Sequence, residues 1–239
     1  MEYLNEYELA TNLLINVGSK LKLELIKEVE STKGKDIKLV LDKSTELLII
    51  KEISKFSNFN ILSEETGFNK FNDNNEIYWI LDPIDGSMNF SRGFKYYSIS
   101  LALWFGKTPI FGIIYNFETD ELYKGYVGIG AYYNNKKLTT PVPKLAHESI
   151  LATGFPVYLD LDDSFFIEFQ NLVKKYKKVR MIGCASLSIA LVASGVFDSY
   201  FEKDIKIWDV AAGVAIIASL DIPMKKFEIK NNYLINIHI

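Results

Sequence analysis

Apolar residues near the start of the chain recur every three or four positions, which is the spacing of one helix face. They predict a long first helix and are Leu4, Tyr7, Ala10, Leu14, Val17, Leu21 and Leu25. A second helical pattern covers residues 47–56, and Asp42 precedes it at a position suited to an N-cap. Two helices are therefore expected before the first long strand.

Short apolar runs then replace the helical spacing and predict consecutive strands. The runs cover residues 59–62, 77–81, 97–104, 110–115 and 122–126. The pair Asn134-Asn135 follows and marks a hairpin turn near Tyr132 and Leu138. The middle of the chain is therefore expected to be rich in strands.

Two prolines, Pro141 and Pro143, and the polar residues around them indicate a boundary. Beyond it, strands are predicted at 150–153, 179–182 and 197–201, and helices at 164–176, 185–194 and 210–220. We predict an N-terminal α+β unit over residues 1–145 and a C-terminal α/β unit over residues 146–239. The expected fold class is α+β or layered α/β, with a mixed sheet.

The composition is that of a globular protein, since 49% of the 239 residues are hydrophobic and 24% are charged. A net charge of −3 argues against nucleic acid as an obligate partner, because a phosphate backbone requires a basic face. The single cysteine, Cys184, excludes an intramolecular disulfide and fits a reducing compartment. His147 and His238 lack metal-ligand spacing and are expected at the surface. The longest apolar stretch, residues 210–220, is too short to span a bilayer and the N-terminus does not resemble a signal peptide, so we expect a cytoplasmic protein that does not bind membranes.

The segment that points most directly to chemistry is Asp82-Pro83-Ile84-Asp85-Gly86-Ser87, which directly follows the apolar run at 77–81. Pro83 fixes the backbone between the two carboxylates, and Gly86 permits a sharp turn. Carboxylates placed this closely repel one another, and a hard cation such as Mg²⁺ relieves that repulsion. The alternative is a turn with an Asx hydrogen bond, but the flanking strand and the Gly-Ser pair favour a strand-to-helix corner.

Other acidic residues also adjoin apolar elements, and they are Glu64, Glu65 and Asp209. A site of oxygen ligands without His or Cys selects Mg²⁺, Mn²⁺ or Ca²⁺ over zinc. Each acid also has a simpler interpretation, which is a solvated loop for Glu64-Glu65 and a helix N-cap for Asp209. For Asp42, an N-cap and a role with metal-bound water are both open.

Residues 82–90, DPIDGSMNF, resemble the DPxDGTxNF signature of the inositol monophosphatase family. Residues 208–213, WDVAAG, resemble that family's second signature, WDxAAG, and Ser63-Glu64-Glu65 matches its acidic loop. The order and spacing fit as well, and the resemblance covers most of the chain. It implies a sugar-phosphatase sandwich of alternating helix and sheet layers (α-β-α-β-α) and a homodimer.

The resemblance further implies two or three Mg²⁺ ions, for which Mn²⁺ is a substitute. The implied metal ligands are Glu64, Asp82, the carbonyl of Ile84, Asp85 and Asp209. The residues implied to activate the attacking water or to hold metal-bound water are Glu64, Ser87 and Asp42. The expected substrate contacts are Gly86, Ser87, Asp85, Cys184, Arg180 and Glu202, with Tyr158 and Lys203 as further candidates. For Arg180 a second phosphate, a partner subunit and a surface salt bridge are all open.

We therefore predict a Mg²⁺-dependent phosphomonoesterase acting on a small phosphorylated sugar or polyol, namely inositol 1-phosphate, fructose 1,6-bisphosphate or both. Water would attack phosphorus directly, since metal ions neutralise the phosphate, activate a bound water and stabilise the leaving alkoxide. Two alternatives are a 3′-phosphoadenosine 5′-phosphate phosphatase and a non-catalytic, metal-binding regulatory protein. Leu39 and Ser87 stand where Thr is usual in the family and motivate the regulatory alternative, while Cys184 replaces a more usual Ser or Thr near the substrate.

Overall fold

A computed structural model describes residues 2–23, 29–33, 36–70, 76–155, 162–230 and 233–239, and only the backbone at 29–33 and 36–39. The helices described are α1 (Leu4–Leu21), α2 (Val40–Ile53), α3 (Ser87–Arg92), α4 (Asp163–Val173), α5 (Ala185–Ala193) and α6 (Ile207–Ser219). The strands described are β1 (Val29–Lys33), β2 (Asp36–Leu39), β3 (Asn60–Ser63), β4 (Gly67–Asn69), β5 (Ile77–Asp85), β6 (Ser98–Phe105), β7 (Thr108–Asn116), β8 (Glu121–Tyr126), β9 (Gly130–Tyr133), β10 (Lys136–Lys137), β11 (Ile150–Thr153), β12 (Lys178–Arg180), β13 (Ser199–Lys206), β14 (Lys226–Ile229) and β15 (Leu234–His238).

Two mixed sheets organise the described residues. The larger sheet has the order β10-β9-β8-β7-β6-β5-β3-β4, and β3 and β5 are parallel while β5 to β10 form an antiparallel meander. The smaller sheet has the order β12-β11-β13-β15-β14, in which β11 is parallel to both of its neighbours. β1 and β2 form a separate antiparallel pair.

Helices cover both faces of the eight-stranded sheet. On one face, α1 and α2 bury residues such as Leu14 and Ile49 against Trp79 and Phe111. On the other face, α5 and α6 pack between the two sheets and share one apolar core with both. α4 contacts the five-stranded sheet through an ion pair between Glu168 and Lys203. The layers alternate between helix and sheet, which confirms the predicted sandwich.

Most predicted elements are present within a few residues of their predicted bounds, but two helix starts differ. Asp42 and Asp209 lie inside the first turns of α2 and α6 and are not N-caps, because α2 begins at Val40 and α6 begins at Ile207. His147 is exposed as expected, whereas the surface prediction is wrong for His238, which is half-buried and lies 3.0 Å from the Tyr176 hydroxyl. The pairs β1–β2 and β14–β15 and the edge strand β4 were not predicted.

The predicted division at residue 145 stays a prediction. The eight-stranded sheet precedes that position and the five-stranded sheet follows it. One apolar core nevertheless joins Ile80 and Trp104 of the first sheet to Ile189 and Ile216 of the later helices. Among the described helices, none has the length and apolar character needed to cross a membrane.

Candidate active site

The acidic hexapeptide lies where β5 ends and α3 begins. The pairing of β5 with β6 shifts register between Asp82 and Asp85, and Gly86 then adopts a φ of 90°, a left-handed conformation that favours glycine, as the N-cap of α3. Asp82 Oδ1 also accepts a hydrogen bond of 3.0 Å from the Ile84 amide, so the Asx bond and the strand-to-helix corner occur together. The residues Asp82 and Asp85 are 1% and 8% exposed, which leaves two carboxyl groups buried at one corner.

The Ser87 hydroxyl connects this corner to helix α2. It donates to the Ile84 carbonyl at 2.9 Å and lies 3.3 Å and 3.4 Å from the two carboxylate oxygens of Asp42. Asp42 is buried in the first turn of α2. The structure therefore brings together three residues that the sequence analysis associated with the attacking water and its metal.

Four carboxyl groups converge beside this corner. Burial raises the pKa of Asp82 well above its usual range, and the charges of Glu64, Asp85 and Asp209 raise it further. Burial also raises the pKa of Asp209, as do the charges of Asp85 and Glu64. Asp82 lies within hydrogen-bonding reach of both Glu64 and Asp209. Carboxyl groups in such contact must share protons or a cation.

The chemistry of these donors fits a hard divalent cation. Within the described ranges, no three His, Cys, Asp or Glu side chains form a ready-made cluster for a metal ion. The convergent acids nevertheless supply the oxygen atoms that Mg²⁺ and Mn²⁺ prefer, and their mutual repulsion is what such an ion would neutralise. The residues that would hold it are Glu64, Asp82, Asp85 and Asp209, together with the Ile84 carbonyl.

Asp85 also connects the corner to helix α5. Its Oδ2 atom accepts hydrogen bonds from the Ser186 amide at 2.7 Å, the Ser186 hydroxyl at 2.5 Å and the Cys184 thiol at 3.1 Å. Burial raises the pKa of Asp85, and the donors from Ser186 and Cys184 oppose that rise. Burial and the charge of Asp85 raise the pKa of Cys184 well above its usual range, so its thiol stays protonated and donates.

A cleft of about 320 Å³ opens beside Asp85 and Asp209. Cys184 and Glu202 line it, together with Lys206 at the end of β13. Glu202 Oε2 accepts a hydrogen bond of 2.7 Å from the Tyr200 hydroxyl, and burial raises the pKa of Glu202 to about 7. The expected substrate contacts Asp85, Cys184 and Glu202 therefore share one cavity.

Other expected contacts lie elsewhere. Arg180 is exposed, bonds the carbonyl of Val179 at 3.0 Å, and is absent from the cleft lining. Lys203 pairs with Glu168 and lines a different cavity. Tyr158 lies outside the described residues, and Leu39 is described for its backbone alone.

Several residues at the site were not predicted from the sequence. Glu46 is fully buried and accepts hydrogen bonds from the amides of Glu65 and Thr66 at 2.8 Å and 2.9 Å. Its place four residues after Asp42, on the same face of α2, is the signal that could have identified it. Ser186 carried no such signal, because its partner Asp85 is 101 positions away.

Comparisons with known proteins show which family the chain resembles. The model of the inositol monophosphatase family matches residues 3–220. A Nus factor SuhB from Xylella fastidiosa is 33% identical over 87% of this chain and 74% of its own length. A fructose-1,6-bisphosphatase/inositol-1-monophosphatase from Aquifex aeolicus is 31% identical over 91% of this chain and 84% of its own.

This chain belongs to the inositol monophosphatase family. The family is one of phosphatases, so a phosphatase activity is its expected class of chemistry. The solved structure of an inositol monophosphatase from Anabaena superposes with a TM-score of 0.80 at 30% identity, and the match covers 92% of this chain and 83% of that one. Both the family assignment and the layered fold are thereby confirmed.

Proposed function

We propose that this protein is a Mg²⁺-dependent phosphomonoesterase that hydrolyses small sugar or inositol phosphates by direct attack of water. The observation that carries the proposal is the convergence of Glu64, Asp82, Asp85 and Asp209 beside the start of α3. When bound, Mg²⁺ supplies charge neutralisation of the phosphate and a more acidic water. The phosphatase family to which the chain belongs supports the same reaction class.

The protein's own residues would position the reactants. The Ser87 hydroxyl, fixed between the Ile84 carbonyl and Asp42, would orient the attacking water together with Glu64. The amides of Gly86 and Ser87 stand at a helix start, where backbone N–H groups lack helical acceptors and can receive a phosphate oxygen. Phosphate would thus lie between the acid cluster and the helix start.

The cleft supports a polyol or sugar as the group that carries the phosphate. Glu202 presents a carboxyl group to it, and a carboxyl group of this kind can hydrogen-bond hydroxyl groups. Inositol 1-phosphate and fructose 1,6-bisphosphate are the proposed substrates, and the double name of the Aquifex aeolicus relative favours that pair. Cys184 would contact the same ligand, and Arg180 would do so only as a more distant contact for a second phosphate.

A second candidate function is regulatory. The relative from Xylella fastidiosa is named a Nus factor. This name favours a regulatory role in which the protein acts by binding a partner and not by catalytic turnover. The expectation that nucleic acid is not a partner stays a prediction. A homodimer and a cytoplasmic location belong to the same proposal as the enzyme.

The test is phosphate release, with and without Mg²⁺, from inositol 1-phosphate, fructose 1,6-bisphosphate and 3′-phosphoadenosine 5′-phosphate in parallel. We expect Mg²⁺-dependent release from one or both of the first two compounds, and Mn²⁺ to replace Mg²⁺. Preference for the adenosine compound would select the nucleotide phosphatase instead. A folded protein that binds Mg²⁺ but releases no phosphate would support the regulatory function.

A further inference from the structure

The two carboxylate oxygens of Asp85 differ in the hydrogen bonds that they accept. Three hydrogen bonds converge on Oδ2: the amide and hydroxyl of Ser186 and the thiol of Cys184. Oδ1 accepts none of these three. A carboxylate held through one oxygen cannot rotate freely, so the direction of the other oxygen is fixed by the same contacts.

A second serine determines which way the Ser186 hydroxyl points. Ser98 Oγ lies 2.7 Å from Ser186 Oγ, and Ser98 is the strand partner of Asp85 across β5 and β6. Each hydroxyl has one proton to donate. Because ionised Asp85 can only accept, Ser186 donates to Asp85 and Ser98 donates to Ser186. Both serine side chains are fully buried, so bulk water does not compete for these bonds.

This arrangement also completes the start of helix α5. Cys184 is the N-cap residue, yet it makes no side-chain capping bond. Asp85, from the eight-stranded sheet, accepts the amide of Ser186 in its place. A carboxylate at a helix N-terminus is favoured by the helix dipole, so the helix and the acid stabilise one another in this orientation.

We propose that Ser186 is a positioning residue for metal binding. Its hydroxyl, oriented by Ser98, commits Asp85 Oδ2 to helix α5 and leaves Oδ1 for the cation. The inference rests on the proposed function only in assigning Asp85 as a metal ligand. The amide bond from Ser186 to Asp85 survives replacement of the side chain, so the hydroxyl can be tested alone.

The test measures Mn²⁺ binding to the metal-free protein by calorimetry, without any substrate. We expect Ser186→Ala to weaken Mn²⁺ binding roughly ten- to hundredfold, as is common when a residue that orients a metal ligand is removed. At saturating Mg²⁺ the rate constant for turnover should change much less than the metal requirement. Ser186→Thr, which keeps the hydroxyl, should restore most of the affinity.

Two further variants separate positioning from general packing. Ser219→Ala is the matched control, because Ser219 is also a buried helical serine, but its hydroxyl bonds the Ile216 carbonyl at the far end of α6. It should leave Mn²⁺ binding unchanged. Ser98→Ala should weaken Mn²⁺ binding less than Ser186→Ala does. The double variant should bind Mn²⁺ as well as Ser186→Ala alone, since Ser98 acts through Ser186.

Each outcome either supports or overturns the positioning role of Ser186. Unchanged Mn²⁺ affinity in folded Ser186→Ala, or a wild-type protein that binds no Mn²⁺, would overturn the inference. If Ser186→Ala does not fold, Ser98→Ala carries the test, and unchanged affinity there would overturn it too. A wild-type protein that releases no phosphate, yet loses Mn²⁺ affinity on Ser186→Ala, would refute the proposed function and support the positioning role.

Discussion

The eight-stranded sheet supplies Asp82 and Asp85 from a single strand, whereas the later half of the chain supplies Asp209, Cys184 and Glu202 from three separate elements. The first contribution is local, because one turn of backbone fixes both carboxyl groups. The second depends on how α5, α6 and β13 pack. One short segment therefore fixes Asp82 and Asp85, whereas the positions of Asp209, Cys184 and Glu202 depend on tertiary packing.

The packing of α6 on the first sheet joins the two contributions. Gly112 in β7 faces the backbone of Ala212 so closely that a methyl group there would overlap it. Gly213, one residue later, faces the side chain of Ile189 in α5. Asp209 lies one helical turn before Ala212 and Gly213 in α6, so its position follows from how tightly α6 approaches β7 and α5.

The largest expected effect compares one acid from each half. Asp82→Asn and Asp209→Asn should each lower Mg²⁺-dependent phosphate release by roughly a hundredfold or more, because each removes one of the proposed charged ligands. Steady-state assays over a range of Mg²⁺ concentrations measure this. If Asp209→Asn retained most of the wild-type activity while Asp82→Asn did not, the later half of the chain would form the cleft without supplying a metal ligand.

The next effect concerns the contact between β7 and α6, which joins the two halves of the chain. Gly112→Ala should lower the free energy of unfolding by about 2–3 kcal/mol, because the methyl group overlaps helix backbone that cannot move independently. It should also weaken Mn²⁺ binding, since α6 carries Asp209. Urea unfolding and calorimetry measure the two quantities.

Gly128→Ala provides the control for that substitution. Gly128 has a φ of 82° and faces open space in the turn between β8 and β9, so an alanine suffers backbone strain without overlap. It should reduce stability but leave Mn²⁺ binding as in the wild type. Equal loss of binding in both variants would show that metal affinity follows overall stability and not the position of α6.

The corner at Gly86 illustrates what the sequence predicts well. An apolar run followed by acids, proline and glycine specifies a strand, a turn and a helix start, and all three lie there. The N-cap interpretation of Asp42 and Asp209 is wrong for a physical reason, since a first-turn acid and an N-cap acid both favour a helix start, and each of these acids lies two residues after the first residue of its helix. The contact of Ser186 with Asp85 joins residues 101 positions apart, and no local pattern encodes it.

A smaller effect is expected at Glu46, which lies in α2 in the earlier half of the chain. Glu46→Ala leaves the amides of Glu65 and Thr66 without their acceptors, which should cost about 1–2 kcal/mol in unfolding free energy. The loop that carries Glu64 should also become less ordered and bind Mn²⁺ more weakly. Glu46→Gln, with one acceptor oxygen remaining, should lose less, and Glu52→Ala on the same helix should change little. A stable Glu46→Ala with normal Mn²⁺ affinity would show that the acidic loop is held by other contacts.

The smallest effect concerns the later half away from the cleft, at His238. Burial, followed by the charges of Lys225 and Lys175, lowers the pKa of His238 to about 4 from 6.5. As the pH falls from 6.5 to 4 the unfolded chain takes up a proton there while the folded chain does not, so the folded state loses stability in that window. His238→Gln still offers Tyr176 a hydrogen-bond partner but does not titrate.

Urea unfolding of the wild type and His238→Gln at pH 7, 5.5 and 4.5 measures this difference. The free energy of unfolding of the variant should rise relative to that of the wild type as the pH falls, by on the order of 1 kcal/mol. The difference is smaller than the full pKa shift of His238 implies, because His238 is only half-buried and solvent partly screens it. Common titrations of the carboxyl groups cancel in the comparison. Parallel pH profiles would mean that His238 stays accessible to protons in the folded state. Since His238 lies outside the cleft lining, Mn²⁺ affinity at pH 7 should be equal in both proteins, which separates the stability of the five-stranded sheet from the chemistry it supports.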